Sequence, residues 1–198
     1  IDLTRGELGT RGTKTTRDAE TEEATNIMGV VIRENMNFKD GFFKDDQQHK
    51  IALIKKIRQF RPKIVLTNAI SDRHPDHARS AQMTIDACFL AGLKKIDTGQ
   101  ELWRPEAIYH YIQFNTLMAD IVIDISNQMS LKIKAVKAYK TQFYNPNSDE
   151  LDTIISSKGF LESVSYRARD LGRQSGCEYA EGFLAYQTPK VDSLLNLG

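Results

Sequence analysis

The chain has few of the features that would assign it at once to a specialised class of protein. It contains two cysteines, and they are not spaced as Cys-x-x-Cys, so neither a disulfide framework nor a zinc knuckle is predicted. Its apolar runs, such as 63–70 and 85–93, fall short of the roughly 20 residues that a membrane span needs. The formal net charge of +1 gives no electrostatic reason to expect a nucleic acid or an anionic membrane as partner.

The composition is that of an ordinary globular protein. Hydrophobic residues make up 40% of the chain and charged residues 27%, which is typical of soluble domains. No signal sequence stands at the start, and the scarcity of cysteine fits a reducing compartment, so we predict a cytoplasmic protein. The length predicts a single domain over residues 1–198.

Apolar periodicity predicts helices and strands in alternation. Helices are expected at 16–31, with Thr16 or Asp18 as the N-terminal cap, and at 45–62, 78–95, 127–144 and 157–174. Strands are expected at 32–38, 63–70, 106–113, 120–126 and 179–186, the second of them buried on both faces. This alternation predicts an α/β fold with a Rossmann-like, largely parallel sheet flanked by helices.

Half of the histidines fall in one short stretch, "SDRHPDH" at 71–77. Pro75 stiffens the turn, so His74, Asp76 and His77 are displayed in fixed directions. His77, at the start of the following helix, could give a neutral nitrogen to a metal, and Asp76 could accept a hydrogen bond from an imidazole. Ligands of α/β sheets bind beyond the ends of such strands. A structural role remains open, because aspartate often caps helices and paired histidines are often solvated.

The opening stretch "TRGELGTRG" at 4–12 is a second candidate for function. Three regularly spaced glycines allow tight turns, from which Arg5, Glu7 and Arg11 project. The spacing matches neither the dinucleotide fingerprint nor the phosphate-binding P-loop. A nucleotide-dependent Rossmann enzyme is therefore disfavoured.

Taken together, these stretches resemble one known family. "LTRGELGTRGT" at 3–13, then Arg17, "HPDH" at 74–77 and "CEYAEGF" at 177–183 resemble the PIG-L (LmbE-like) zinc-dependent N-acetylglucosaminyl deacetylases. The likeness is greatest to the branch that acts on N-acetylglucosaminyl malate in bacillithiol biosynthesis. The resemblance implies a Zn²⁺ cofactor, a small N-acetylated sugar conjugate as substrate and a homo-oligomer, with no nucleic acid or membrane partner.

The resemblance also implies roles for the histidine cluster. His77 would be a zinc ligand. His74 would stabilise the oxyanion or protonate the leaving amine, and Asp76 would hold a histidine in its working orientation.

Three further residues are assigned to the substrate by the same resemblance. Glu7 and Arg17 match positions that contact the sugar in relatives. Arg73 would line the mouth of the site.

One family motif does not occur in these residues. The sequence Ala-His-Pro-Asp-Asp, which in the family supplies two further zinc ligands and the general base, is absent. Catalytic zinc needs about three protein ligands. We therefore expect a deacetylase-like domain that lacks its N-terminal strand-loop-helix segment and is inactive as it stands. The alternative is a non-catalytic sugar- or nucleotide-binding module that grips an anionic ligand with Arg5 and Arg11.

Overall fold

The computed structural model describes residues 1–196. The helices there are α1 (Lys14–Met28), α2 (Gln47–Phe60), α3 (Pro75–Ala91), α4 (Met129–Ala138) and α5 (Lys158–Ser175). The strands are β1 (Ile64–Thr67), β2 (Ala107–Tyr111), β3 (Ile121–Asp124) and β4 (Ala180–Ala185), and a short 3-10 turn covers Leu194–Asn196. None of the helices in this part of the chain has the length and apolarity of a membrane span.

Internal contacts divide the chain into two compact units. Unit 1 contains Ile1–Phe43 and Val122–Glu181, and unit 2 contains Lys44–Ile121 and the chain from Gly182 onwards. The assignment of one domain to residues 1–198 stays a prediction.

The strands form a mixed sheet in the order β1-β2-β4-β3. In unit 2, β1 runs parallel to β2, with Ile64 opposite Ala107, while β4 runs antiparallel to β2, with Leu184 opposite His110. In unit 1, Ile125 follows β3 and Tyr179 precedes β4. The N–H of Ile125 donates to the carbonyl of Tyr179. The predicted α/β class is confirmed. The sheet is mixed rather than largely parallel, because β4 enters it against the direction of β2.

In unit 2, α2 packs against α3. The predicted helix at 45–62 is confirmed as α2, which Asp46 caps by accepting the His49 N–H at 3.0 Å. It ends at Arg61, which adopts a left-handed conformation (φ 47°) just before proline. Ile54 and Met83, one from each helix, are fully buried between them. Their burial anchors α3, the helix that begins in the histidine cluster.

In unit 1, α1 packs against α4. The cap of α1 is Thr13, which exchanges hydrogen bonds with Thr16 in a capping box, and the helix ends at Gly29 (φ 65°). The predicted start at Thr16 or Asp18 was therefore wrong, since the hydroxyl three residues upstream completes the reciprocal cap. The predicted end at 31 was also too late, because a left-handed glycine stops the helix.

The strand predicted at 32–38 is not formed. The segment makes one isolated parallel bridge, between Asp2 and Asn35. Asn37 has a positive φ of 54°, which turns the chain out of the extended conformation that a strand requires. The alternation of apolar residues in this segment was therefore misleading.

The prediction that the strand at 63–70 is buried on both faces was also wrong. Ile64 and Leu66 are each 57% exposed, whereas Thr67 is buried. The strand lies at the end of the strand order and pairs with β2. A branched apolar run thus indicated a strand correctly but not its burial.

Candidate active site

The turn between β1 and α3 carries the histidine cluster, as predicted. His74 is the N-cap of α3, in an extended conformation (φ −85°, ψ 127°), and Pro75 occupies the first turn. The Nδ1 atom of His74 accepts the backbone N–H of Asp76 at 3.3 Å. Proline suits this position because its fixed φ is helical and its missing N–H has no intrahelical partner there. The imidazole is therefore held by the helix that it begins.

This cap determines which nitrogen of His74 carries the proton. Because Nδ1 accepts a hydrogen bond, the neutral ring bears its hydrogen on Nε2. His74 consequently presents an N–H donor from a ring that is fixed at its other nitrogen. The ring of His77 lies next to it, with the two centroids 5.1 Å apart.

Asp76 is buried, and its carboxylate forms an ion pair with Arg79 one turn along α3. Its backbone N–H is the group that donates to Nδ1 of His74, the N-cap of the helix. The role predicted for the Asp76 side chain, holding a histidine in orientation, stays a prediction.

His77 is the third residue of α3, and its side chain is 30% exposed. The Nδ1 atom is buried without a hydrogen bond, and the nearest carboxylate oxygen, Oδ2 of Asp72, lies 3.5 Å away. Burial lowers the pKa of His77 below its ordinary value, although the charge of Asp72 opposes this. A neutral imidazole is the form that binds metals, so the environment suits the predicted role.

Asp72 is a residue of this cluster that sequence reasoning did not single out. Its side chain is 1% exposed and accepts the backbone N–H of Phe114 at 3.0 Å and that of Arg73. Burial alone would raise the pKa of Asp72, but these N–H groups and His77 together lower it. Arg73, predicted to line the mouth, is exposed, and its guanidinium lies 5.1 Å from the centre of the Phe114 ring.

Buried polar groups tie this turn to β2 and to α3. The Nδ1–H of His110 donates to the carbonyl of Asn68 at 2.8 Å, and the Asn68 amide donates to Gln113 at 3.0 Å. The Ser80 hydroxyl lies 2.6 Å from Oδ1 of Asn68 and 2.9 Å from the carbonyl oxygen of His77. His110 is 2% exposed. The histidine-bearing turn is thus held on both sides.

The glycine-rich loop belongs to unit 1. Glu7 is exposed, and its carboxylate accepts the backbone N–H groups of Asp40 at 2.8 Å and Arg5 at 3.3 Å. Burial alone would raise the pKa of Glu7, but the hydrogen bonds from these N–H groups outweigh burial, and the pKa is lowered. The N–H of Leu8 donates in turn to Asp40 at 3.1 Å. Glu7 is therefore a fixed anion on a well-anchored loop.

Arg17 lies on α1, and its side chain is 12% exposed. It donates to the carbonyl of Arg11 at 3.3 Å and has Glu20 3.7 Å from its buried Nε, which makes no hydrogen bond. Burial lowers the pKa of Arg17, and the ion pair with Glu20 opposes this. Arg11 itself is 3% exposed and contacts Ser148. The turn at 144–150 therefore holds the glycine-rich loop, a role that its polar sequence did not indicate.

The donor atoms do not by themselves complete a metal site. Within residues 1–196 no group of three or more His, Cys, Asp or Glu side chains is arranged to hold an ion. His77, with a partly exposed side chain, is the suitable donor of the cluster, whereas a zinc site needs about three. The described residues therefore do not fit Zn²⁺ on their own.

Comparison with known proteins gives relatives along the whole chain. Residues 1–88 match the family model described as PIG-L, GlcNAc-PI de-N-acetylase. The chain is 26% identical over 187 residues to diacetylchitobiose deacetylase of Thermococcus kodakarensis. This match covers 92% of this chain and 67% of that protein.

Two solved structures are also similar. The conserved protein TT1542 of Thermus thermophilus is 32% identical, with a TM-score of 0.86 over 96% of this chain and 82% of that one. The N,N'-diacetylchitobiose deacetylase of Pyrococcus horikoshii, at 24% identity, has a TM-score of 0.75 over 92% of this chain and 70% of that one, a likeness of fold. From the family model and the relative at 32% identity, we conclude that the chain belongs to the PIG-L (LmbE-like) family.

Proposed function

We propose that the protein hydrolyses the acetamide of an N-acetylglucosaminyl substrate, releasing the free amine and acetate. Relatives named as GlcNAc-PI de-N-acetylase and diacetylchitobiose deacetylase support this reaction class. We further propose N-acetylglucosaminyl malate, of bacillithiol biosynthesis, as the substrate. The two free cysteines suit the cytoplasm as the place of reaction.

The observation that carries the proposal is the fixed donor on His74. Hydrolysis adds water to the acetyl carbon, and negative charge develops on the former carbonyl oxygen before the C–N bond breaks and the amine leaves with a proton. The Nε2–H of His74 can donate to that oxygen without reorienting, because Nδ1 is held by the N–H of Asp76. A donor placed in this way is typically worth about 3–4 kcal/mol in the transition state. We therefore favour the oxyanion role of His74 over proton donation to the amine.

Zinc remains part of the proposal, with His77 as the ligand that this chain contributes. Deacetylases of this family are generally metal-dependent. Zn²⁺ would polarise the acetyl carbonyl and activate the attacking water. Its remaining ligands would have to come from residues other than those described.

Substrate binding is assigned to Glu7, Arg17 and Arg73. Glu7 is a fixed carboxylate that can accept sugar hydroxyls. Arg73 is exposed next to an aromatic ring, a surface suited to a polar conjugate. The half-buried Arg17 has one Nε–H without a hydrogen-bond partner, so its donors are not saturated. Asp76 supports the cluster because its backbone N–H donates to Nδ1 of His74.

The test is acetate release from N-acetylglucosaminyl malate by the purified protein supplied with Zn²⁺, beside its histidine variants. His77→Ala should lose stoichiometric zinc and activity together. His74→Ala should retain zinc but lose about 10²- to 10³-fold in kcat. His49→Gln, which changes a histidine on α2, is the matched control and should retain both.

Each result has a contrary outcome. Stoichiometric zinc in His77→Ala would remove that residue from the ligand set, and normal turnover in His74→Ala would give it a structural role. Calorimetric binding of N-acetylglucosaminyl malate without acetate release would favour the sugar-binding module instead. Faster cleavage of N,N'-diacetylchitobiose than of the malate conjugate would refute the substrate assignment. Sedimentation of the same samples tests the proposed homo-oligomer.

A further inference from the structure

The buried carboxylate of Asp72 has an arrangement that its backbone contacts alone do not explain. One oxygen accepts the N–H of Arg73, and the other accepts the N–H of Phe114 at 3.0 Å. The second oxygen also lies 3.5 Å from Nδ1 of His77. With a side chain that is 1% exposed, this anion is a fixed feature rather than a mobile surface charge.

The two ring nitrogens of His77 differ in their surroundings. Nδ1 is buried and makes no hydrogen bond. The His77 side chain as a whole is 30% exposed. A neutral imidazole carries one N–H, and the neighbouring group decides which nitrogen bears it. A carboxylate next to Nδ1 attracts the hydrogen to that atom, and a small rotation of the ring would complete the hydrogen bond.

We propose that Asp72 is the positioning residue of His77, fixing the ring direction and the Nδ1–H tautomer, which leaves the lone pair on Nε2. Asp76, to which the sequence assigned such a role, has its carboxylate paired with Arg79 on the same helix.

The surroundings of Asp72 are stiff enough for this purpose. Phe114, which donates to it, follows β2, and the same stretch is tied to the histidine-bearing turn through Gln113 and Asn68. Asn68 is held in addition by the buried His110. Because backbone N–H groups fix the Asp72 carboxylate, a hydrogen bond between the two side chains forms by rotation of the His77 ring rather than by movement of Asp72.

The tautomer can be measured directly. Long-range ¹H–¹⁵N correlation spectra distinguish the two forms of a neutral imidazole, and the chain has four histidines, so His77→Gln assigns the signals. The spectra are recorded at pH 8, above the ordinary histidine pKa of about 6.5, where a neutral ring is expected. Wild-type protein should show the Nδ1–H form of His77. Asp72→Ala should shift it toward the Nε2–H form, and Asp72→Asn, which retains an acceptor without charge, should give an intermediate mixture.

Asp86→Asn is the matched control, because it removes a carboxylate from α3, the helix that carries His77, and this carboxylate pairs with Lys50. It should leave the His77 signals unchanged. Thermal melting checks that each variant is folded, and Asp72→Asn keeps the size of the side chain if the alanine variant does not fold. A His77 tautomer in folded Asp72→Ala or Asp72→Asn that matches wild type would overturn the proposal.

The consequence for turnover rests on the proposed function. If the protein is a deacetylase, Asp72→Asn should lower kcat/KM by about 10- to 100-fold, the usual effect of removing the partner of a working histidine. Complete inactivity of wild-type protein that carries stoichiometric zinc would refute the proposed function but leave the tautomer result to decide the role of Asp72. Full activity of Asp72→Asn together with an altered His77 tautomer would refute the link between the tautomer and turnover.

Discussion

Arg58 is expected to be a major determinant of the stability of unit 2, because its guanidinium holds the chain that follows α3. The side chain is 4% exposed. It donates to the carbonyls of Ala91 at 3.0 Å, Leu93 at 3.0 Å and Ile96 at 2.7 Å, and to the hydroxyl of Thr98 at 2.7 Å. One buried cation thus joins the last residue of α3 to three residues of the turn that follows it.

The cost of its removal follows from these contacts. Arg58→Met keeps much of the apolar stem but removes every donor. The carbonyls of Ala91 and Leu93 keep the N–H groups of Trp103 and Ile96 as donors, so the cost comes mainly from losing four hydrogen bonds to a buried cation. Such bonds are worth about 1.5–3 kcal/mol each, and partial hydration reduces the sum, so we expect about 3–5 kcal/mol of lost stability. For a chain of this size that corresponds to a fall in Tm of roughly 6–20 °C.

Arg104→Met is the matched control. Arg104 also donates to a carbonyl near the end of α3, that of Phe89 at 3.1 Å, and lies 4.7 Å from the centre of its ring, but it is exposed. Its removal should cost less than about 1 kcal/mol. Urea unfolding followed by circular dichroism gives both values. A loss for Arg58→Met no larger than for Arg104→Met would refute the reasoning.

Three smaller predictions concern thiols, glycines and a helix cap. Burial raises the pKa of the Cys88 thiol to about 12, so at pH 8 Ellman's reagent should modify the partly exposed Cys177 alone until urea is added; two fast thiols would contradict this. Gly12→Ala should cost about 1–3 kcal/mol more than Gly6→Ala, because both have positive φ but only at Gly12 would a Cβ lie 2.8 Å from a threonine side chain; equal melting temperatures would exclude that clash. Thr13→Ala should lose about 1 kcal/mol in urea unfolding through its capping box, and an unchanged midpoint would show the cap to be dispensable.

Local signals predicted the helices well and strand burial poorly. The helix at 45–62 was found because its apolar period and the proline after it agree. The exposure of Ile64 and Leu66 was missed because branched apolar residues favour strands whether or not a layer covers them. The direction of β4 in the sheet was missed for a similar reason, since strand pairing is set by tertiary contacts rather than by local pattern.

The site was predictable to the level of the cluster but not of the individual contacts. His74, Asp76 and His77 could be singled out because histidine is rare in this chain and proline fixes the turn. Asp72 lies in the same stretch, but nothing in the sequence says which carboxylate turns inward. That depends on the N–H of Phe114, a residue distant in the chain.

At His74, the residue that would best stabilise the start of α3 differs from the residue that the proposed reaction needs. Asparagine, aspartate and serine are much better N-caps than most residues, so His74→Asp would be chosen by any procedure that optimises helix ends. Aspartate would accept the Asp76 N–H that His74 now accepts, favour the positive end of the helix and raise the melting temperature. It would also remove the Nε2–H donor on which the proposed reaction depends. Thermostabilised libraries of this protein should therefore accumulate inactive members at this residue, and selection for turnover alone should restore histidine there.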